Sequence, residues 1–427
     1  MFPLTRPSEP RQPAGGIAAL ARAVQGVPKV VGWSWLISRL LFFLPLALSV
    51  QLRWPGQLAE RLGQWDAAHY LQIVSEGYSG DNFAFFPLFP FTTKAVAAAL
   101  HLAPLPVALL LVNGAFLIAL VVLERLSRQC LGERAARATV LLTCFNPMSI
   151  FFAIPYTEAF YLLITGLTLL CLVSRPLGVP GIALLGALGS ATRPTGVVIL
   201  PSILIAFARD RRAAAGLLAS LGTLGGLGAI ALINWRLSGD PLAFLHAQQA
   251  WAVRPGFNLS GLPFWLEELS KVFLGPLNTK ASALVDGTYP ALFSAVVGVG
   301  ALAAGLRRRH PGTSFVLSLV AFLAFWLVAG MPGLNLLVVV GALLLCGWGL
   351  GRLPLEVWAF GAASLVAYLL KQHTMSLERH IFATVPLLML LGAWFGDHPR
   401  WLRILVGFGA LLLVSYALRL GAGLWIG

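Results

Sequence analysis

Charge is what this sequence has least of. Only 11% of its 427 residues are Asp, Glu, Lys or Arg, while 58% are hydrophobic. A soluble globular chain carries about a quarter charged residues. The deficit excludes that class and leaves a polytopic membrane protein. Apolar residues run along the whole length, so a single integral membrane domain over 1–427 is expected, without a soluble domain. Acids are scarcer than bases, 16 against 30, which gives a formal net charge of +14. In a soluble protein that balance would suggest nucleic acid. Here arginines mark cytoplasmic loops and touch anionic lipid headgroups. No basic stripe alternates with aromatics in an exposed segment, so nucleic acid is not an expected partner.

Cysteine is also scarce. Cys130, Cys144, Cys171 and Cys346 form no CxxC pair, which argues against a disulfide framework or a zinc site. Residues 1–31 have no signal-peptide core and are read as a cytoplasmic N-terminal segment. The run Trp33 to Val50 reads as an uncleaved signal anchor. Familiar catalytic signatures are missing too: there is no Walker A motif, HExxH, GxSxG or Rossmann fingerprint. Nor is an internal repeat or low-complexity segment present.

What the sequence does have is long apolar runs. Those able to cross a bilayer (about 20 residues, fewer if tilted or broken) fall near 32–50, 104–123, 138–153, 158–174, 179–191, 195–208, 213–233, 288–305, 313–330, 334–350, 354–370, 380–396 and 404–423. The fold class expected is an all-α polytopic membrane protein with about 13 spans. Arginine clusters at 125–137, 209–212 and 307–309 assign those loops to the cytoplasm. This assignment requires that 85–101 lie at the outer surface without crossing. A first outer loop then covers 51–103, a helical module 104–233, a second outer loop 234–287, and C-terminal helices 288–427. Asp66, His69, Glu158, Arg193, Gln248 and Arg379 all fall on the outer side.

Ionisable groups gathered beside a bilayer call for a use. In Trp65-Asp66-Ala67-Ala68-His69-Tyr70, helical spacing would set Asp66, His69 and Tyr70 on one face. A carboxylate there could take a proton from an attacking hydroxyl, or could merely cap a helix or pair at the headgroup level. Pro155-Tyr156-Thr157-Glu158 starts a run that Thr157 could cap. Glu158 then lies in a first turn, either favoured there by the helix dipole or contacting substrate. In Ala191-Thr192-Arg193-Pro194-Thr195-Gly196, Pro194 disfavours helix at Arg193 and Gly196 relaxes the turn. Arg193 needs an anion, which Glu158, Asp66 or a phosphate would supply. Gln248 and Trp251 stand three apart and suit a sugar ring, although Trp also anchors membrane interfaces generally. Arg379 and His380 at a helix start could hold an anion, anchor the helix, or pair with Glu378.

Together, WDAAHYLQIVSEGY, NFAFFPLFP, the NP and YTEAF block and ATRPTG resemble the PIG-V family, most strongly over 65–200. These are the second mannosyltransferases of GPI-anchor assembly and their prokaryotic relatives, within the GT-C class. GDPLAFLHAQQAW and SLERH look like the prokaryotic branch. The resemblance implies the GT-C fold and an inverting transfer of a sugar, typically mannose, from a polyprenyl phosphate. The acceptor hydroxyl would belong to a glycolipid, a glycan or a protein. It implies a site on the outer face of a prokaryotic inner membrane, in contact with membrane lipid. Asp66 becomes the expected catalytic carboxylate, and Glu158 and Arg193 match family positions. Two departures bear on the acceptor: Pro194-Thr195 replaces a Ser-Asn-like pair, and His380 stands where Tyr is common. The chemistry needs a base and positive charge at the departing phosphate. Asp66 suits the first; Arg193, Arg379, Lys94 and His69 suit the second; Gln248 and Trp251 would orient the sugar. No cofactor and no metal are expected, because a lipid monophosphate is already a good leaving group and no DxD-type pair is present. The competing readings are a lipid or oligosaccharide transporter, and a silent scaffold for a partner transferase.

Overall fold

Apolar runs close into helices because a chain in hydrocarbon must satisfy its own backbone hydrogen bonds. The computed structural model describes residues 26–248, 262–370, 374 and 376–426. Every regular element among them is an α- or 3₁₀-helix. Seven are long and apolar enough to cross a membrane: Lys29–Arg53, Pro104–Leu131, Ala213–Ser238, Thr288–Leu306, Pro311–Gly330, Pro332–Gly349 and Pro399–Gly421. Six shorter apolar helices accompany them, among them Glu158–Ser174, Val179–Thr192, Leu355–Leu369 and Val385–Gly396.

The expected spans differ most from this where proline intervenes. The run at 138–153 is helical only over Glu133–Phe145, and Pro147 tightens the chain into a 3₁₀ turn, Pro147–Phe152. The run at 195–208 starts as the 3₁₀ turn Pro194–Ile199 before the helix Leu200–Arg209. The run at 380–396 is divided into Leu377–Ile381 and Val385–Gly396, with Thr384 extended ahead of Pro386. In each case proline removes a backbone donor, and at Pro147 and Pro194 it also restricts the preceding residue to extended backbone. Leu88–Leu100 has 13 residues, about 20 Å of helix, short of the ~30 Å hydrocarbon core.

The described residues divide into two compact units. One draws on Met1–Pro255, Leu345–Ala367 and Arg379–Gly427. Its core gathers Phe116, Leu120, Tyr161, Leu169, Phe360 and Leu388. Helices approach closely where one lacks a side chain. A Cβ on Gly392 would sit 1.9 Å from Thr139 Oγ1, so Val385–Gly396 lies tight against Glu133–Phe145. Small residues at such crossings are the usual means of helix association in membranes.

The other unit draws on Gly256–Leu344 and Tyr368–Glu378. Val272, Phe293 and Ala329 form its buried centre. Asn278 fastens the turn after Pro276–Ala281. Its amide nitrogen donates to Leu274 O and Asp286 O, and its Oδ1 accepts from Val285 N and Asp286 N.

Candidate active site

Four ionisable side chains from distant parts of the first unit meet in one line. Asp66 begins the helix Asp66–Ser75, where unpaired backbone N–H groups favour a carboxylate. The residue before it, Trp65, has φ 54° and ψ −127°, a strained conformation for a large side chain. The Trp425 ring, edge-on at 5.3 Å, packs against it. This turn aims Asp66 at Arg379, whose Nη1 lies 3.0 Å from Asp66 Oδ2.

Arg379 also approaches Glu158, with Nε 2.9 Å from Oε1. Glu158 begins its own helix, Glu158–Ser174. The same Oε1 accepts Arg193 Nη1 at 2.7 Å. Arg193 is held extended (φ −157°, ψ 153°) between Val179–Thr192 and the 3₁₀ turn, as a residue before proline should be. Gly196 serves close approach here rather than turn freedom, since a Cβ on it would lie 2.1 Å from Gly189 O. Two carboxylates thus face two guanidiniums, and the group is formally neutral. Asp66 is the most open of the four: its side chain is 27% exposed, against 1% for Glu158.

Aromatic rings wall the line. Arg379 stands 5.1 Å from the Phe151 ring and 5.2 Å from the Tyr156 ring, within cation–π range. Burial works against the charge on Arg379, but Glu158 and then Asp66 outweigh it and hold its pKa above the ordinary arginine value. The Tyr156 hydroxyl accepts the backbone N–H of Asp66. Burial first, then Asp66, pushes the Tyr156 and Tyr70 phenols above their ordinary range. Neither phenol is therefore a base near neutrality.

Asp66, His69 and Tyr70 share the 66–75 helix, and their partners differ. Tyr70 donates to Thr157 Oγ1 at 3.4 Å. The Thr157 side chain makes no cap to the helix it precedes, contrary to the sequence expectation, and serves Tyr70 instead. His69 stacks on Phe85 at 4.6 Å, with Nδ1 2.5 Å from Asn82 Oδ1. His380 is buried beside Arg379, and its carbonyl accepts Thr384 Oγ1. Lys94 is exposed on Leu88–Leu100. Gln248 is half-buried just after Ala243–His246. Among the described residues, neither is bonded or ion-paired to the four charged groups. Trp251 lies outside the described residues.

The sequence reading passed over four contributors. Tyr156 and Phe151 wall Arg379, and Asn82 fixes His69. Arg39 is buried in Lys29–Arg53. Its guanidinium donates to Phe152 O at 2.9 Å, Ser149 O at 3.2 Å and Ser149 Oγ at 2.6 Å. It thereby ties down the 3₁₀ turn that leads into Tyr156–Glu158. An arginine inside an apolar run was the available signal.

Residues 37–204 match the family model described as Mannosyltransferase (PIG-V). Asp66, Glu158 and Arg193 fall within the match, and Arg379 falls outside it. GPI mannosyltransferase 2 of Drosophila pseudoobscura pseudoobscura is 33% identical over 111 residues, covering 23% of this chain and 25% of that protein. GPI alpha-1,6-mannosyltransferase 2 of Mus musculus is 35% identical over 156 residues, covering 34% of this chain and 31% of that protein. The chain spans about a quarter to a third of the length of these relatives. Among solved structures, the Archaeoglobus fulgidus oligosaccharyltransferase with zinc and sulfate overlays with TM-score 0.41 at 16% identity, over 92% of this chain and 52% of that one. The archaeal oligosaccharyltransferase AglB from Archaeoglobus fulgidus, with an inhibitory peptide and a dolichol-phosphate, gives TM-score 0.40 at 15% identity, over 92% and 55%.

Proposed function

On the PIG-V family match over residues 37–204, we propose that this chain is a membrane mannosyltransferase that takes its sugar from a polyprenyl phosphate. The observation that carries this reading is the ion pair of Asp66 with Arg379, at the most open point of a line of four charges. The acceptor hydroxyl gives its proton to Asp66 as its oxygen bonds to the anomeric carbon. The bond from that carbon to the phosphate oxygen breaks on the opposite side, inverting the centre. The polyprenyl phosphate leaves with the bonding electrons.

Each guanidinium has five N–H donors, and its bonds to Asp66 and Glu158 use a minority of them. Arg379 and Arg193 thus keep donors for the leaving phosphate while their charge is balanced by carboxylates. Glu158 organises the two arginines and is not itself the base. A monophosphate leaving group stabilised by guanidiniums needs no divalent metal, and none is included in this proposal. The site faces the outer side of the membrane, a reading that rests on the arginine-rich loops at 125–137, 209–212 and 307–309, and the membrane is the inner one of a prokaryote, which rests on the motif resemblance alone. The acceptor is a glycolipid, a glycan or a protein hydroxyl.

The test is transfer in vitro. Purified protein is given polyprenyl-phosphate-mannose and extracted membrane acceptors, and consumption of donor and appearance of mannosylated product are followed. Acceptor-dependent loss of donor supports the proposal. No consumption of any prenyl-phosphate sugar would overturn it.

A further inference from the structure

Lys29–Arg53 and Pro399–Gly421 pack along each other and leave a furrow between them. Leu44, Leu48 and Leu52 recur every fourth residue on the first helix and form one exposed apolar strip. Leu418 of the second helix closes the other side, and the furrow has a volume of about 410 Å³, the size of a pocket for one small ligand. Its floor is where the helices touch: a Cβ on Gly421 would lie 3.0 Å from Ser49 Oγ. Both helices are long and apolar enough to cross a membrane, so the furrow opens to hydrocarbon. One charge lines it, Arg53 in the last turn of its helix, and no acid does. Arg53 is exposed and, among the described residues, makes no hydrogen bond or ion pair. The other arginines at this end of the helices are engaged. Arg61 donates to Gln57 Oε1 at 2.8 Å and lies over the Trp54 ring, and Arg419 donates to Trp425 O at 3.0 Å. Trp54 and Trp425, just beyond the two helix ends, mark the headgroup level. Leucines below and an unpaired guanidinium at that level match a lipid with an anionic head.

We propose that the furrow is a specific seat for one anionic phospholipid. An acyl chain lies between the two helices, and the phosphodiester accepts hydrogen bonds from Arg53. A zwitterionic lipid brings an ammonium for which the furrow has no acid, so a net negative headgroup is selected. Polyprenyl phosphate carries similar chemistry, but under the proposed function its phosphate goes to Arg193 and Arg379. None of the four charged groups of the candidate site lines the furrow, so the seat stands apart from that site and does not rest on the transferase reading. The two are still joined through the chain: the second helix runs on to Trp425, whose ring packs edge-on against Trp65, the residue before Asp66.

The test counts retained lipid. Full-length protein is placed in nanodiscs of phosphatidylcholine and phosphatidylglycerol in equal parts, released in a native mass spectrometer, and its bound lipids are identified. The wild type is expected to keep one phosphatidylglycerol in preference to phosphatidylcholine. Arg53→Gln should lower that preference by about fivefold, the worth of one arginine at a membrane surface. Leu48→Trp fills the furrow and should remove the retained lipid whatever its head. Arg236→Gln changes an exposed arginine at the end of another helix and should leave the preference as it is. No preference in the wild type, or the same loss in Arg53→Gln and Arg236→Gln, overturns the seat. Retention that survives Leu48→Trp places the lipid elsewhere and overturns it too. In a final arm a polyprenyl phosphate is added at the concentration of the phosphatidylglycerol. If it displaces the retained phospholipid from the wild type and not from a protein already emptied by Leu48→Trp, the furrow belongs to the prenyl lipid and the phospholipid assignment falls.

Discussion

Arg379 and Asp66 are 313 positions apart in sequence, and their side chains meet at 3.0 Å. The pair joins the first turn of one helix to a five-residue helix near the C-terminus. Asp66→Asn keeps the shape and removes the proton acceptor. Transfer should fall by about 10²- to 10⁴-fold. Stability should change little, because Asp66 is partly exposed and Arg379 keeps Glu158. A variant that transfers mannose at the wild-type rate would remove Asp66 from the chemistry.

Glu158 is expected to behave in the opposite way. It is buried between two guanidiniums, and Glu158→Gln leaves both without their shared anion. Breaking a buried pair from one side costs about 3–5 kcal/mol. Glu158→Gln combined with Arg193→Gln leaves one acid against one base, Asp66 against Arg379. The double variant should therefore unfold at a higher temperature than Glu158→Gln alone. Strictly additive losses in the thermal melts would mean that the pair contributes no coupling.

The buried phenols give a pH signature. Tyr70 and Tyr156 are raised above the ordinary 10.0 by burial and then by Asp66. Below pH 10 the phenol is neutral whether folded or unfolded, so its contribution to stability is constant. Above pH 10 the unfolded chain loses the proton first, and stability falls as pH climbs toward the folded value. Each phenol contributes a slope of about 1.4 kcal/mol per pH unit in that window. Tyr70→Phe and Tyr156→Phe should each flatten the fall in melting temperature between pH 10 and 11. An unchanged alkaline slope would show that these phenols titrate alike in both states.

Much of this arrangement could be read from residue types. The helices Thr288–Leu306 and Pro399–Gly421 are plain apolar runs, and their positions follow from hydropathy alone. Glu158, Arg193 and Arg379 stood out because each interrupts or borders such a run, and Asp66 because it lies in a charged, aromatic segment between two of them. Their pairing was not legible. The string leaves Glu158 between a helix dipole and a substrate contact and Arg193 among Glu158, Asp66 and a phosphate, and nothing in it ranks a carboxylate over a phosphate. The break before Val385 was missed because hydropathy does not register that Pro386 lacks a donor. The Thr157 cap failed for a related reason. Capping preference is local, and Tyr70, 87 positions earlier, competes for that hydroxyl. Asn82 carried no signal at all, since an asparagine in a turn is ordinary.

Arg39 tests whether support from a distance shapes the site. Its guanidinium reaches Phe152 O with one nitrogen and Ser149 with the other, a fork that an ammonium cannot copy. Asn113 Nδ2 binds the next carbonyl, Ala153 O, so the turn is held from two helices. If charge alone mattered, Arg39→Lys would restore everything that Arg39→Met removes. If the fork matters, Arg39→Lys should still lose about 1.5–3 kcal/mol, the scale of a hydrogen bond to a charged group. Transfer should fall with it, because Tyr156 and Glu158 lie only a few residues beyond the turn. Thermal melts and transfer rates of both variants decide between these. A methionine variant as stable and as active as the wild type would show that the turn holds its place without Arg39.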